Sequence, residues 1–331
     1  MKDLRLVAIA AAAVVAAATV AALAYKDEGS PVQARRKVVA IFKTQASSNA
    51  FWIAVTDGAE SGAQDFGFDL SIRAPRDEKY VDEQIAIVEE TVAEAPSAIV
   101  LAAGDFHLLV GPVRKAKAAG IKVVLLDSFI ETDDADAKIG TDNVEAGQRC
   151  GAALLKRLPA KPGGGKPRVA ALSYVQGSST AIGRETGLRK ALGDRVDLAE
   201  TSYSSSEIDR AYAQAKDILD REPRLEGMAA LNLPTLLGAA RALSESGRKD
   251  KVVLVGVDSS DEVMRYLERG VIRDVIVQKP FNMGYLSMSA VRDLLDGKRT
   301  KAYINTGSLD IDKANMFEAE NQKLLFPAPG R

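Results

Sequence analysis

Seven residues stand at or just beyond the ends of apolar runs, and their types suit recognition of a polar molecule. Asn49, Phe51 and Trp52 follow KVVAIF (37–42), Asp127 closes KVVLLD (122–127), Asn232 closes GMAALN (227–232), Asp258 closes KVVLVGVD (251–258) and Gln278 closes VIRDVIVQ (271–278). In open α/β sheets ligands bind outside the carboxyl ends of the strands, where these residues would gather. Carboxylates and amides accept and donate hydrogen bonds, and aromatic rings offer flat, weakly polar faces. Singly, each has a plainer reading, because Asp and Asn at a strand end often cap the next helix.

Covalent chemistry has little to work with. A single histidine, His107, and a single cysteine, Cys150, leave no Ser-His-Asp set beyond one position, no multi-histidine or Cys-rich metal site and no disulfide framework. Cys150 sits in AGQRCGAALLKRL and reads as a small buried thiol, while His107 follows Gly-Asp and reads as a polar residue of the surface or a pocket edge. KPGGGKP lacks the Ser or Thr of a phosphate loop and follows a helix, and no GxGxxG opens a helix after the first run. No enzyme activity, cofactor or metal is therefore expected. With 44 Lys plus Arg against 45 Asp plus Glu, no overall field draws the chain to nucleic acid.

The elements that must position the seven residues alternate from Lys37 onward. Besides the runs already named, FDLSIR (68–73), SAIVLAA (97–103), RVAALSY (168–174) and DLAETSY (197–203) read as strands. Helical spacing fills the gaps: EKYVDEQIAIVEETVAEA places Val81, Ile85, Val88 and Val92 on one face and its carboxylates on the other, and DRAYAQAKDILD and SMSAVRDLLDG behave likewise. Strand and helix in alternation signal parallel sheets covered on both faces. Nine runs are too many for one compact sheet, so two similar open sheets are expected within the 331 residues. The Pro/Gly stretch LPAKPGGGKPR (158–168) reads as a loop.

The amino terminus has another purpose. MKDLR is a weakly basic start, LVAIAAAAVVAAATVAALA is an unbroken apolar run, and Ala22-Leu23-Ala24 has the small-x-small form of a cleavage site. Residues 1–24 are expected to be an export signal to the periplasm and 25–36 a polar tether, an uncleaved membrane anchor being the other reading.

The stretches SNAFWIAVTDGAESGAQDFGFDL, SAIVLAAGD, AGIKVVLLDS, IGTDNVEAGQRCGAALL, AIGRETGLRKAL, LVGVDSSDEVMRYLERGVI and VQKPFNMGYLSMSAVRDLLDGK together resemble one group, from Lys37 to about Phe326. They are similar to the periplasmic sugar-binding proteins of ABC transporters, the ribose- and galactose-binding group with the type I periplasmic-binding-protein fold. The resemblance implies an α/β protein of two Rossmann-like lobes with parallel sheets, hinged by three crossing segments near Asp142/Asn143, Gln278/Lys279 and Thr306/Gly307. The N-terminal lobe would hold 37–142 plus 279–306 and the C-terminal lobe 143–278 plus 307–331. It also resembles the effector domain of LacI-type repressors, but no helix-turn-helix precedes Lys37.

Carried over by position, the resemblance assigns ligand contacts to Asn49, Phe51, Trp52, Asp127, Arg184 of AIGRETG, Asn232, Asp258 and Gln278. Lys43, Asp105 and Ser128 are further candidates. The chain departs from the ribose-type pattern in four places. Ser128 stands where Arg usually follows the clamping Asp; Leu233-Pro234 follow Asn232; Ser204-Ser205-Ser206 replace an aromatic; and Lys43 replaces a small polar residue. With Lys43 near the cleft and Arg184 opposite, a sugar acid or another oxygenated small molecule enters consideration. The implied protein is a monomer that captures a monosaccharide or derivative and passes it to an ABC permease; a membrane sensor kinase or chemoreceptor is the alternative partner.

Overall fold

The computed structural model describes residues 35–45, 49–161 and 164–325; the expected export signal, residues 25–34 of the tether and the last six residues lie outside them. Two six-stranded sheets organise the chain from Arg36 onward. The first is built from β1 (Lys37–Ile41), β2 (Asp69–Arg73), β3 (Ala98–Leu101), β4 (Lys122–Leu126), β5 (Ala137–Gly140) and β11 (Tyr303–Asn305), in the order β11-β5-β4-β3-β1-β2. The second contains β6 (Arg168–Ser173), β7 (Asp197–Tyr203), β8 (Leu225–Ala230), β9 (Val253–Val257), β10 (Ile272–Gln278) and β12 (Ser308–Asp312), in the order β12-β10-β9-β8-β6-β7. All neighbours are parallel except β12, which runs antiparallel to β10.

Each of the nine apolar runs coincides with or overlaps a strand. The continuity of the central ones follows from burial on both faces: Val38 and Ala40 enter one core while Val39 and Ile41 enter another on the opposite side of the sheet, and the edge strands β2 and β7 are partly exposed. The second sheet is sandwiched in the same way. Cys150 is part of that second core, and burial pushes its thiol up to about 12. Three strands, β5, β11 and β12, lie outside the runs. β5 has four residues, β11 has three and is an exposed edge, and β12 (SLDID) alternates carboxylates with apolar residues.

The helices are α1 (Ala50–Phe66), α2 (Val81–Ala93), α3 (Val110–Ala118), α4 (Asn143–Arg157), α5 (Ser179–Leu192), α6 (Ile208–Arg221), α7 (Leu233–Glu245), α8 (Asp261–Glu268), α9 (Pro280–Leu295) and α10 (Ala319–Leu325). On α2 the inward face is Gln84, Val88 and Thr91, with Val81, Ile85 and Val92 half-buried beside it. Helix pairs α1/α9 and α4/α5 cross at facing glycines. A Cβ at Gly58 would stand 2.0 Å from Phe281 O and one at Gly284 2.1 Å from Val55 O; Gly147 and Gly187 meet Arg184 O at 2.1 Å and Val144 O at 2.0 Å. The chain passes between the sheets at three places: from β5 to α4, from β10 to α9 and from β11 to β12.

Candidate ligand-binding site

The first-sheet side is set by two strand ends and a helix start. Asn49 caps α1, its Oδ1 accepting from Phe51 N at 3.0 Å, which seats Phe51 and Trp52 in the first helical turn. Trp52 is buried, stacked on Phe42 (centroids 5.2 Å) and meeting Phe51 edge-on (5.1 Å). Asp127 follows β4 in the left-handed region at φ 58°, a conformation few residues other than Gly adopt. Behind them Gln84 ties strand ends together: its Nε2 donates to Phe42 O and Ala102 O, and its Oε1 accepts from Gly104 N.

Lys43 lies between two carboxylates, with Nζ 3.1 Å from Asp127 Oδ2 and 3.2 Å from Glu78 Oε1, all three side chains being nearly inaccessible. Burial opposes its charge, but attraction from Asp127 and then Glu78 outweighs burial and holds its pKa above the ordinary lysine value.

The second-sheet side is held as firmly. Arg184, on α5 and 3 % exposed, donates through Nε to Asn143 Oδ1 (2.9 Å) and through Nη1 to Leu231 O (2.7 Å). Asp258 follows β9 at φ 78°. Its Oδ1 accepts from Gln278 Nε2 (2.6 Å) and its Oδ2 from Leu233 N (3.2 Å), with Arg184 Nη1 at 3.6 Å. Burial raises the Asp258 pKa against the pull of Arg184. Asn232 caps α7 through Oδ1, which accepts from Thr235 N, and its Nδ2 donates to Ser206 Oγ at 3.0 Å. Gln278 Oε1 is buried with no partner among the described residues.

These side chains line a cavity of ≈ 30 Å³, bordered by Asn49, Phe51, Trp52, Asp127, Arg184, Asn232, Asp258, Gln278 and Lys43, well below the size of an open ligand pocket, so a sugar enters only if the two sides part around it. Two candidates are not in the lining. Ser128 is fully buried and donates to Ala103 O (2.6 Å), bracing the end of β3. Asp105 accepts from His107 N and Leu108 N through Oδ1, and its other oxygen lies against Gly177. His107 is exposed, its Nδ1 3.0 Å from Glu131 Oε2.

Three polar lining residues were not anticipated: Glu78, Tyr174 and Thr180. Tyr174 could have been found, because RVAALSY ends on it as other runs end on site residues. Its hydroxyl donates to Thr180 Oγ1 (2.7 Å), and burial pushes its pKa up to about 12. Glu78 belongs to the charged segment before α2, which reads as a solvated surface. The Ser204-Ser205-Ser206 segment supplies a polar link in place of an aromatic, Ser206 Oγ donating to Glu78 Oε2 at 2.7 Å. Among the described residues no group of acidic, His or Cys side chains has metal-site geometry, and no helix is long and apolar enough to cross a membrane.

With this cleft in view, residues 39–299 match the family model described as a periplasmic binding protein domain. The chain belongs to the periplasmic binding protein family. A D-ribose/D-allose-binding protein of Pseudomonas aeruginosa is 30% identical over 244 residues, 71% of this chain and 74% of that protein. Among solved structures, a carbohydrate-transporter solute-binding protein from Agrobacterium radiobacter in complex with D-arabinose superposes with a TM-score of 0.84 at 25% identity. It covers 88% of this chain and 99% of that one. An ABC-transporter solute-binding protein from Agrobacterium vitis with bound D-fucose gives a TM-score of 0.83 at 27% identity, covering 88% and 100%. The fold is the type I periplasmic-binding-protein fold, and members of the family are sugar-binding components of transporters, not enzymes.

Proposed function

We propose that the protein is an exported solute-binding subunit that takes up a neutral monosaccharide between its lobes and delivers it to an ABC permease. One observation carries the choice of a neutral ligand: both cations of the cleft are already matched. Lys43 faces Asp127 and Glu78, and Arg184 faces Asp258, so three carboxylates stand against two cations. The carboxylate of a sugar acid would add a fourth negative group at a buried site, an uncompensated charge that is costly to desolvate. A sugar's hydroxyls instead complement the unpaired acceptor of Gln278, and its weakly polar C–H groups suit the aromatic side chains of Phe51 and Trp52. Delivery to a permease, in preference to signalling through a kinase or chemoreceptor, is supported by the transporter descriptions of the similar structures. Residues 1–24 as an export signal and a monomeric state complete the reading.

The test is calorimetric titration of the purified protein with D-ribose, D-allose, D-arabinose and D-fucose, and with D-glucuronate and D-galacturonate. At least one neutral sugar should bind and be recovered unchanged. At a hundred times its dissociation constant it should stabilise the native state by about 2.7 kcal/mol. Binding of the uronates alone would overturn the neutral reading, and a converted product would overturn the binding function.

A further inference from the structure

Glu78 occupies an unusual position for a residue in a charged loop. It lies between β2 and α2 and is 7 % exposed, and its two oxygens face different lobes. Oε2 accepts the hydrogen bond of Ser206 Oγ (2.7 Å), and Ser206 Oγ in turn accepts from Asn232 Nδ2. Ser205 and Ser206 are consecutive left-handed residues, at φ 56° and 60°. Two adjacent non-glycine residues in that region are strained, and such strain collects where a side chain must be aimed. Here it accompanies a hydroxyl directed across the cleft to Glu78. Oε1 lies 3.2 Å from Lys43 Nζ, an ion-pair approach without hydrogen-bond geometry, and has no hydrogen-bond partner among the described residues. It borders the same space as Asp127, Asn232 and Gln278.

A buried carboxylate oxygen without a donor is unfavourable unless something supplies one. Lys43 alone does not: its ammonium approaches Oε1 at 3.2 Å outside hydrogen-bond geometry. We propose that Glu78 is a specificity-determining contact of the ligand site, its Oε1 accepting a hydroxyl hydrogen of the bound sugar while its Oε2 holds Ser206. One carboxylate thereby reads a single hydroxyl and joins the two lobes over it. The inference rests on the monosaccharide reading above and adds to it a residue and a rule: one hydroxyl position of the ligand is recognised by charge-assisted hydrogen bonding to Glu78. If Glu78 served only as a counter-ion for Lys43, or only as an interlobe tie, its loss would weaken all sugars by a common factor.

The experiment uses the full chain, its E78Q and S206A variants, the four neutral sugars named above, and the monodeoxy analogues of whichever sugar binds most tightly. For the parent, one deoxy position should cost roughly tenfold to a hundredfold in affinity, the range for hydrogen bonds to charged groups. E78Q should weaken the intact sugar by a similar factor yet bind that deoxy analogue about as the parent does. S206A should weaken sugar and analogue equally. Should E78Q not fold, E78D makes the same comparison, since it keeps a charge for Lys43 but withdraws the oxygens by one methylene. The proposal is overturned if E78Q still discriminates against the deoxy analogue as the parent does, or if it binds the intact sugar with parental affinity. A parent that binds none of the four sugars brings down the monosaccharide reading itself, a different result from a parent that binds and a variant that is unaltered.

Discussion

Lys43 shows how much of the cleft depends on a single side chain. Its ammonium is the only cation within 4 Å of Asp127 and Glu78 among the described residues, and all three groups are buried. Removing one partner of a buried ion pair leaves uncompensated charge and costs about 3–5 kcal/mol. Lys43→Met should therefore destabilise the protein by that order at pH 7 in urea denaturation. Because the Lys43 pKa is raised in the folded state, its contribution is fully present below the ordinary value of 10.5 and is lost only as pH rises through the higher folded value. The gap between parent and variant should thus hold from pH 6 to 9. Equal stability at pH 7 would show that the pair contributes nothing. Residues such as Asp127, Asn232 and Asp258 were legible because each ends an apolar run, and parallel strands bring their carboxyl ends to one place. Glu78 was not, because its position depends on a loop that crosses the end of the sheet, for which the local pattern of charges gives no signal. Asp105 and Ser128 carry the right residue types beside the cleft, but one carboxylate oxygen of Asp105 and the Ser128 hydroxyl are engaged with backbone.

Among the elements, the paired helices decide where Arg184 stands. Helix α5 rests on α4 so closely that a methyl group at Gly147 would meet the carbonyl oxygen of Arg184 itself at 2.1 Å. Helix propensity alone favours Ala over Gly by about 1 kcal/mol, so contact and propensity predict opposite signs. Contact should win at Gly147, since the obstructing atom is backbone and overpacking costs about 1–3 kcal/mol. Gly147→Ala should lower stability and weaken sugar binding, because α5 must move with Arg184 on it. Gly111, in α3, has nothing within 4 Å of a Cβ and no positive φ, so Gly111→Ala should stabilise by about 0.5–1 kcal/mol and leave binding unchanged. Urea midpoints and titration calorimetry on both variants check the pair; a stabilising Gly147→Ala would refute the close-packed crossing. Seven of the nine strands in the apolar runs could be read from the chain because two-sided burial writes continuous apolar runs, whereas β2 and β7 are partly exposed edge strands. β5, β11 and β12 could not, since their polar or edge-facing members leave no continuous apolar run.

For the whole molecule, the question is what holds the lobes together around the site. Outside the lining, the direct links between them are few: Phe106 N donates to Gly177 O at 3.0 Å, Phe129 N donates to Ser179 Oγ at 2.9 Å, and Lys79 pairs with Glu207. The ion pair is more than a third exposed on both sides, and exposed pairs contribute at most about 1 kcal/mol. Two neutral hydrogen bonds add about 1 kcal/mol each. Together with the Ser206–Glu78 hydrogen bond at the cleft, itself contributing about 1.5–3 kcal/mol, these links among the described residues set a modest preference for the arrangement seen here. A ligand that touches Asp127 on one side and Arg184 on the other binds this arrangement far better than one with the lobes apart, and so shifts the population toward it. Small-angle scattering should accordingly show compaction at saturating sugar, and Arg184→Ala should weaken binding and reduce that compaction, since a second-lobe donor is lost. Tryptophan emission offers an independent reading: Trp52 is the sole Trp of the chain and lines the space, so its signal should change with sugar and the change should vanish in Trp52→Phe. Binding without compaction would mean that the contacts at the rim already fix the lobes, and that recognition by a membrane partner cannot depend on closure.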